Sequence, residues 1–422
     1  MSDKSTTLKG FRDFLPSQMA VRNAVKKICI DAFELFGFEP LETPTLEYAS
    51  VLKGKNGQEA DKLLYTFKDK GDREVGLKYD LTVPTARVLS TYNLSLPFKR
   101  YQIQPVFRAD NTQKGRYREF LQCDIDIFGF KTPNTDAEII AITYYILSKL
   151  NFKKFSIRIN SRTVLKQILT ANNIEKDQNS VLQSLDKFQK IGEDGVKKEL
   201  IKKGFDSSQI DKLFEYIKTA QPDDYLNKVF GNLIDFGIPS SAFTFDPTLV
   251  RGLDYYTGPI FETYIEDQNL GSVTGGGRYD DLVKTLGGPD IPAVGTTIGL
   301  DRIVDCINEL NLLPELIKTK TRVLVANFGE EKKSLELISK LRQENIPSSF
   351  YPSPEKLGKQ IKYANTLGIK YIAIIGPNEA KNKLITIKNL LTSEQKTINF
   401  DELIKEICYT IPYETRNSST IF

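Results

Sequence analysis

The stretch KRYQIQPVFRADNTQKGRYREFLQCDIDIF, residues 99–128, reads as two strands joined by a basic loop. Its return strand alternates with period two: Leu121, Cys123, Ile125 and Ile127 fall on one face, and Gln122, Asp124 and Asp126 on the other. The outgoing strand, Lys99 to Phe107, delivers Arg108 at its end. The loop from Ala109 to Tyr117 adds Lys114, Gly115 and Arg116, and Arg118 opens the return strand. Cations at one end and carboxylates further in suit a ligand carrying phosphate at one end and a protonated nitrogen group at the other. An ordinary antiparallel hairpin with a solvated polar side fits the same pattern.

Composition bounds the chemistry. A chain of 422 residues is long enough for two or three domains, since single cores rarely grow past roughly 250 to 300 residues. Hydrophobic content of 40% and charged content of 27% are those of a globular protein. No run of eighteen apolar residues occurs, and Met1 to Leu8 is polar, without the apolar segment of a signal peptide, so a cytoplasmic location with no membrane partner is expected. Cys29, Cys123, Cys306 and Cys408 are far apart and form no CxxC spacing, which predicts reduced thiols and neither a zinc site nor a disulfide framework. Histidine is absent from the whole chain. That excludes Ser-His-Asp and Cys-His nucleophile systems, HExxH zinc sites and imidazole general bases, and leaves charge and positioning as the means of catalysis. A net charge of +4 is too small to announce nucleic-acid binding by itself.

Along the chain, Ser17 is expected to cap a helix whose stripe is Val21, Val25, Ile28, Ala32 and Phe36, closed by Gly37. The strand Phe38 to Pro44 ends in proline and belongs at an edge. Asp69-Lys70-Gly71-Asp72 marks a hairpin, and Asp80-Leu81-Thr82 opens a helix in which Asp80 and Thr82 have the character of capping groups. Thr135 to Leu150 is an amphipathic helix, followed by the strand Phe155 to Ile159. Lys/Glu/Asp-rich short helices occupy residues 161–242, punctuated by Gly192, Gly195 and Gly204. Strands return at Ile260 to Ile265 and Ala293 to Ile298, and a helix runs from Leu300 to about Leu310. After a linker at 311–320 the pattern becomes βαβ, which predicts a small, largely parallel sheet with covering helices. Between Lys356 and Lys388 there are seven lysines against one glutamate, a solvated basic face or a nucleic-acid surface.

Four motifs in order carry a family resemblance: Phe107-Arg108 with residues 113–118, the stretch from Arg251 to Tyr256, Gly275-Gly276-Gly277-Arg278-Tyr279-Asp280, and Gly299-Leu300-Asp301-Arg302. Together they resemble histidyl-tRNA synthetase, a class II aminoacyl-tRNA synthetase, from about Lys9 to about Leu390. The resemblance implies an α+β catalytic domain with a six-stranded-type antiparallel sheet flanked by helices (the class II synthetase fold), a helical insertion and a C-terminal α/β domain. The implied boundaries are residues 1–160 and 243–310 for the two catalytic parts, 161–242 for the insertion, 321–410 for an anticodon-binding domain and 411–422 for a tail.

The implied reaction is attack of the histidine carboxylate on the α-phosphate of ATP, followed by transfer to the terminal ribose of tRNA(His). That nucleophile is already ionised, so a chain without histidine can perform the first step by positioning and charge neutralisation. By resemblance, Arg108 and Arg251 are catalytic and meet the α-phosphate and the substrate carboxylate. Asp80, Leu81, Thr82, Arg108, Gln122, Asp126, Arg251, Tyr255 and Tyr256 bind histidine, with Asp126 and the two tyrosines reaching the imidazole. Arg108, Asp110, Arg116 and Arg302 bind ATP, and Gln113, Lys114 and Arg116 lie in the loop that meets the tRNA acceptor end. Mg²⁺ is implied as the counter-ion of ATP, with no protein metal ligand assigned, and a homodimer is implied with its contact at the first helix and strand. Where many relatives have Arg-His-Glu, this chain has Arg108-Ala109-Asp110, which puts ATP affinity in doubt. A non-catalytic relative, such as the regulatory subunit of ATP phosphoribosyltransferase, is the alternative. Synthesis of a chain without histidine would also continue when charged histidyl-tRNA is scarce, although compositional drift explains the same absence.

Overall fold

The two-strand reading of residues 99–128 corresponds to a hairpin of ten-residue strands that are the second and third strands of an eight-stranded sheet. The computed structural model describes residues 6–54, 63–112, 115–174, 177–250, 255–266, 268, 271–312 and 319–409. The chain forms two compact units, Met1–Asp13 with Arg22–Pro314 and Phe14–Val21 with Glu315–Phe422.

Strands of the first unit are β1 (Glu39–Pro40), β2 (Leu46–Tyr48), β3 (Tyr65–Lys68), β4 (Glu74–Leu77), β5 (Phe98–Phe107), β6 (Glu119–Phe128), β7 (Phe155–Ser161), β8 (Phe243–Phe245), β9 (Pro259–Ile265), β10 (Thr274–Arg278) and β11 (Ala293–Gly299). Its helices are α1 (Pro16–Leu35), α2 (Ala49–Lys53), α3 (Thr82–Thr91), α4 (Pro133–Lys149), α5 (Arg162–Ala171), α6 (Gln178–Leu185), α7 (Phe188–Lys202), α8 (Ser207–Thr219), α9 (Asp224–Asp235), α10 (Leu282–Thr285) and α11 (Leu300–Leu310). The main sheet has eight strands in the order β1-β5-β6-β11-β10-β9-β7-β8. The six from β5 to β7 are antiparallel throughout. One short parallel strand is added at each edge, β1 beside β5 and β8 beside β7. Pro40 sits in the edge strand β1, where a missing N–H costs no ladder bond.

Period two decides which side chains share a face. Cys123, Ile125 and Ile127 point to a core closed by α1 and α4: Phe33 stacks 5.4 Å from Tyr101, and Phe36 meets Tyr145. The opposite face carries Arg100, Gln102 and Gln104 from β5 in register with Asp126, Asp124 and Gln122 from β6. Each of these six side chains is at most 8% exposed, so this face is buried rather than solvated. Helix α3 and the small sheet β2-β4-β3 cover it: Thr85 Oγ1 donates to Gln102 Oε1, and Lys78 Nζ donates to Gln104 Oε1 and the Thr43 carbonyl. Lys78 is fully buried, and burial pulls its ammonium down to about 8, opposed by Glu42 and Glu47.

Local details differ from the sequence reading where a neighbour competes. Helix α1 starts at Pro16, the favoured first position, so Ser17 lies inside it; the Leu15 N–H is satisfied by Gln18 Oε1. Thr132 caps α4 through the Thr135 N–H, two residues before the expected start. Asp69 accepts from Gly71 and Arg73 N–H in the expected hairpin. Helices α5 to α9 form the insertion; Gly192 kinks α7 at φ 67°, whereas Gly195 is helical. Arg278, fully buried, pairs with Asp136 of α4, and Tyr225 of α9 donates to the same carboxylate at 2.6 Å, which fastens the insertion to the sheet.

The second unit contains β12 (Val323–Val325), β13 (Ser348–Phe350), β14 (Tyr371–Ile374), β15 (Ile385–Asn389) and β16 (Gln395–Ile398), with α12 (Glu331–Gln343), α13 (Leu357–Leu367), α14 (Pro377–Asn382) and α15 (Phe400–Tyr409). Its five-stranded sheet, β13-β12-β14-β15-β16, is parallel only from β13 to β14. The added β15 and β16 are antiparallel, so the sheet is mixed rather than largely parallel.

The triple glycine forms β10, a central strand, and the reason is space. A Cβ on Gly276 would lie 2.1 Å from the Gly295 carbonyl oxygen and 2.6 Å from Thr296 Cα. A Cβ on Gly277 would meet the Pro259 carbonyl and Tyr256. These two glycines thus admit neighbouring protein atoms. Gly276→Ala should lower unfolding stability by about 3 kcal/mol, because backbone rather than a mobile side chain must yield. Chemical denaturation of the variant and the parent measures this.

Candidate active site

Two groups of site residues lie on the β5–β6 hairpin, one along its polar face and one at its loop end. The first surrounds the buried polar face. Asp80, between β4 and α3, is 3% exposed, and its Oδ1 accepts from the Val83 N–H at 3.1 Å in the manner of a cap. Its Oδ2 is buried with no partner. Leu81 is a core side chain whose carbonyl accepts from Thr85, and Thr82 is half-buried at the start of α3. Arg108 leaves β5 with its Nε on the Tyr79 carbonyl at 2.9 Å and its guanidinium 5.0 Å from the Phe120 ring. Asp80, Tyr255, Asp124 and Tyr79 are the groups that favour its charge against burial.

Gln122 donates to Thr297 Oγ1 at 3.1 Å and faces Asp124, while its Oε1 is buried without a donor. Asp126 pairs with Arg100 through Oδ2 and accepts the Tyr279 hydroxyl through Oδ1. Tyr255 packs edge-on against Tyr256 at 4.9 Å and Tyr279 at 5.6 Å. Burial, then Tyr256 and Asp80, push its phenol up, so it remains a neutral donor.

The second group is more open. Arg116 pairs with Asp110, and Arg118 Nε donates to the Asp110 carbonyl at 3.1 Å. Arg302, in the first turn of α11, donates from Nη1 to the Ser272 carbonyl at 2.6 Å and from Nε to the Gly115 carbonyl at 3.4 Å. The two groups meet where Gln122 pairs in register with Gly299, the residue before α11. Asp301 locks this junction by accepting from Arg12, Arg22 and the Leu121 N–H. Arg251, Gln113 and Lys114 lie outside the described residues. Among the described residues, no group of three or more His, Cys, Asp or Glu side chains could hold a metal ion.

Sequence reasoning gave no role to Arg100, Asp124, Tyr279, Gly295 or Lys78. The signal for Arg100 was present: Arg100, Gln102 and Gln104 alternate with Tyr101 and Ile103 just as the return strand does. No pattern in the sequence showed which side chain faces Asp126.

A six-stranded antiparallel sheet whose buried polar face carries an arginine at the end of one strand, with a glycine-led helix bearing a second arginine, defines a class II aminoacyl-tRNA synthetase. The histidyl-tRNA synthetase family profile matches residues 10–303, and an anticodon binding domain profile matches 322–408. The chain is 38% identical to a histidine–tRNA ligase of Cytophaga hutchinsonii, over 96% of this chain and 100% of that one, and 39% identical to one of Clostridium tetani, over 96% and 98%. The crystal structure of histidyl-tRNA synthetase from Nostoc sp. PCC 7120 superposes with a TM-score of 0.85 at 32% identity, covering 96% of this chain and 99% of that one. The chain belongs to the histidyl-tRNA synthetase family.

Burial, with a smaller push from Asp126, raises Asp80 to about 6, with the Val83 N–H, Arg108 and Arg100 opposing. Burial likewise pushes Asp124 up to about 7, opposed by Arg100 and reinforced by Asp126. Both groups hold protons more tightly in the folded state than in the unfolded state, so their contribution to stability is fully present below the ordinary carboxylate range and is lost as pH rises through about 6 and 7. Urea denaturation of the ligand-free protein at pH 5 and pH 8 should show this decline. Asp124→Asn should reduce it by an amount on the order of 2 kcal/mol.

Proposed function

We propose that this chain performs the histidine–tRNA ligase reaction of its family with amino-acid recognition and phosphate chemistry divided between the two groups of residues at the β5–β6 hairpin. The observation that carries this reading is the pair of buried acceptors without donors, Asp80 Oδ2 and Gln122 Oε1, with the Arg108 guanidinium acting on Asp80. Buried polar atoms are rarely left unpaired, and a substrate α-ammonium supplies donors for both while its carboxylate meets the arginine. Thr82 and the Leu81 backbone complete that end. Asp126, Tyr255 and Tyr256 form the imidazole pocket, where an N–H donor at this depth separates histidine from apolar isosteres.

Arg108 and Arg251 neutralise charge developing on the α-phosphate as the ionised carboxylate attacks and pyrophosphate leaves. No proton need be removed from the nucleophile, which agrees with a chain lacking histidine. Arg302, Arg116 and Asp110 bind the outer phosphates and adenine, and Mg²⁺ enters with ATP. The loop with Gln113, Lys114 and Arg116 receives the tRNA acceptor end. The regulatory-subunit alternative lacks an anticodon domain, whereas residues 322–408 match one.

A cytoplasmic homodimer is part of the same reading. Cys29, Cys123 and Cys306 are buried free thiols, as a reducing compartment maintains. Among the described residues, no helix is long and apolar enough to cross a membrane. Leu35 at the end of the first helix is exposed, which supports a dimer contact there.

Histidine-dependent exchange of pyrophosphate into ATP by the purified protein tests the activity. Arg251→Lys should leave histidine binding within a few fold and cut the exchange rate by roughly 10² or more, since a point charge replaces a two-donor fork at the developing charge. Equal losses in binding and rate would remove Arg251 from that role.

The lysines between Lys356 and Lys388 are assigned to tRNA phosphates. Affinity for tRNA(His) should then fall roughly a hundredfold or more between about 50 and about 200 mM salt. Filter binding across a salt series reads this, and a flat response would leave these lysines as a merely solvated face.

A further inference from the structure

Asp126 lies in the middle of three adjacent strands, in register with Arg100 of β5 on one side and Gly295 of β11 on the other. A Cβ at residue 295 would sit 1.8 Å from Asp126 Oδ1, so the glycine opens the room that the carboxylate fills. The Tyr279 hydroxyl donates to Oδ1, and the fully buried Arg100 guanidinium meets Oδ2 at 2.5 Å. Arg100 Nη1 also lies 3.3 Å from Gln102 Oε1. Gln102 in turn donates to Thr43 and Gln104, and Gln104 accepts from Lys78, so the guanidinium stands at the end of a buried polar chain.

We propose that Arg100 is a positioning residue for amino-acid selection: it keeps Asp126 ionised and fixed against Tyr279, so that the carboxylate offers an acceptor to the imidazole N–H. This rests on the assignment of Asp126 to the imidazole. Neutral imidazole carries one N–H donor and one acceptor nitrogen, and a protonated Asp126 would present a donor where an acceptor is needed. Of the other groups around Asp126, the carboxyls work against its charge and the Tyr279 hydroxyl supports it through one hydrogen bond. Asp124 on its own strand and Asp80 ahead of α3 are both carboxyls, and Tyr279 is a phenol that burial and Asp126 hold neutral. Burial pushes the Asp126 carboxyl above its ordinary range, and Arg100 is the strongest opposing influence, ahead of the Tyr279 hydrogen bond. A lysine would supply charge at this position without the planar fork that also reaches Gln102.

The test measures KM for histidine and for ATP in pyrophosphate exchange from pH 6.5 to pH 8.5, using the full-length chain and the variants Arg100→Met, Arg100→Lys, Asp126→Asn and the Met/Asn double variant. Arg100→Met should raise the histidine KM roughly 30-fold at the acidic end, relative to the parent at the same pH, and less at the alkaline end, since rising pH favours the ionised carboxyl. The ATP KM should stay within about twofold of the parent, Arg100→Lys should restore most of the loss, and the double variant should be no worse than Asp126→Asn alone. A pH-independent loss shared by histidine and ATP would make Arg100 a structural residue and overturn the inference. If Asp126→Asn raises the histidine KM while Arg100→Met does not, the inference falls and the Asp126 assignment stands. If Asp126→Asn leaves that KM unchanged, the assignment itself falls. Should Arg100→Met not fold, the pH dependence of the Arg100→Lys histidine KM decides: a lysine that matches the parent at every pH supports the charge role, and a pH-independent loss overturns it.

Discussion

Three carboxylates, Asp80, Asp124 and Asp126, are buried on one face of the main sheet, and the architecture answers the cost of placing them there. Removing one charge from water without compensation costs far more than a typical domain's stability margin, so such groups must be paired, hydrogen-bonded or protonated. All three devices are present. Asp126 is paired with Arg100, Asp80 takes the Val83 N–H and lies near Arg108, and Asp124 is pushed toward the protonated form by burial. Proteins retain such an arrangement when a ligand repays it.

The sheet is shaped around that face. Gly276 and Gly277 let β10 lie against β11 and Tyr256, and Gly295 leaves the volume that Asp126 fills. Tyr279, just past the glycine strand, then reaches across β11 to the same carboxylate on β6. The glycine run is therefore a strand whose side chains are missing so that atoms of its neighbours fit.

The hairpin is held from both sides. Asp301 gathers Arg12, Arg22 and the Leu121 N–H, so the N-terminal segment, α1, β6 and α11 share one carboxylate. Arg278 and Asp136 bind β10 to α4, and Tyr225 brings the insertion to the same pair. Removing either partner of this fully buried ion pair would strand a charge, which makes the insertion's attachment more than a surface contact.

The amino-acid sequence by itself determined the hairpin and its two faces, because period two is a local property of a strand. It also determined the helices α3, α4 and α11 to within a few residues, the change to alternating β and α after residue 320, and the family, whose motifs lie in consecutive residues. Exclusion of imidazole chemistry likewise follows from composition alone. Tertiary structure decided what covers the polar face. Its burial depends on α3 and a three-stranded sheet drawn from elsewhere in the chain, and nothing in residues 99–128 encodes their arrival. Pairing of Asp126 with Arg100 and Tyr279 was decided in the same way, since strand register joins residues 26 and 153 positions apart, and only a folded sheet fixes which of many cations and hydroxyls a carboxylate meets.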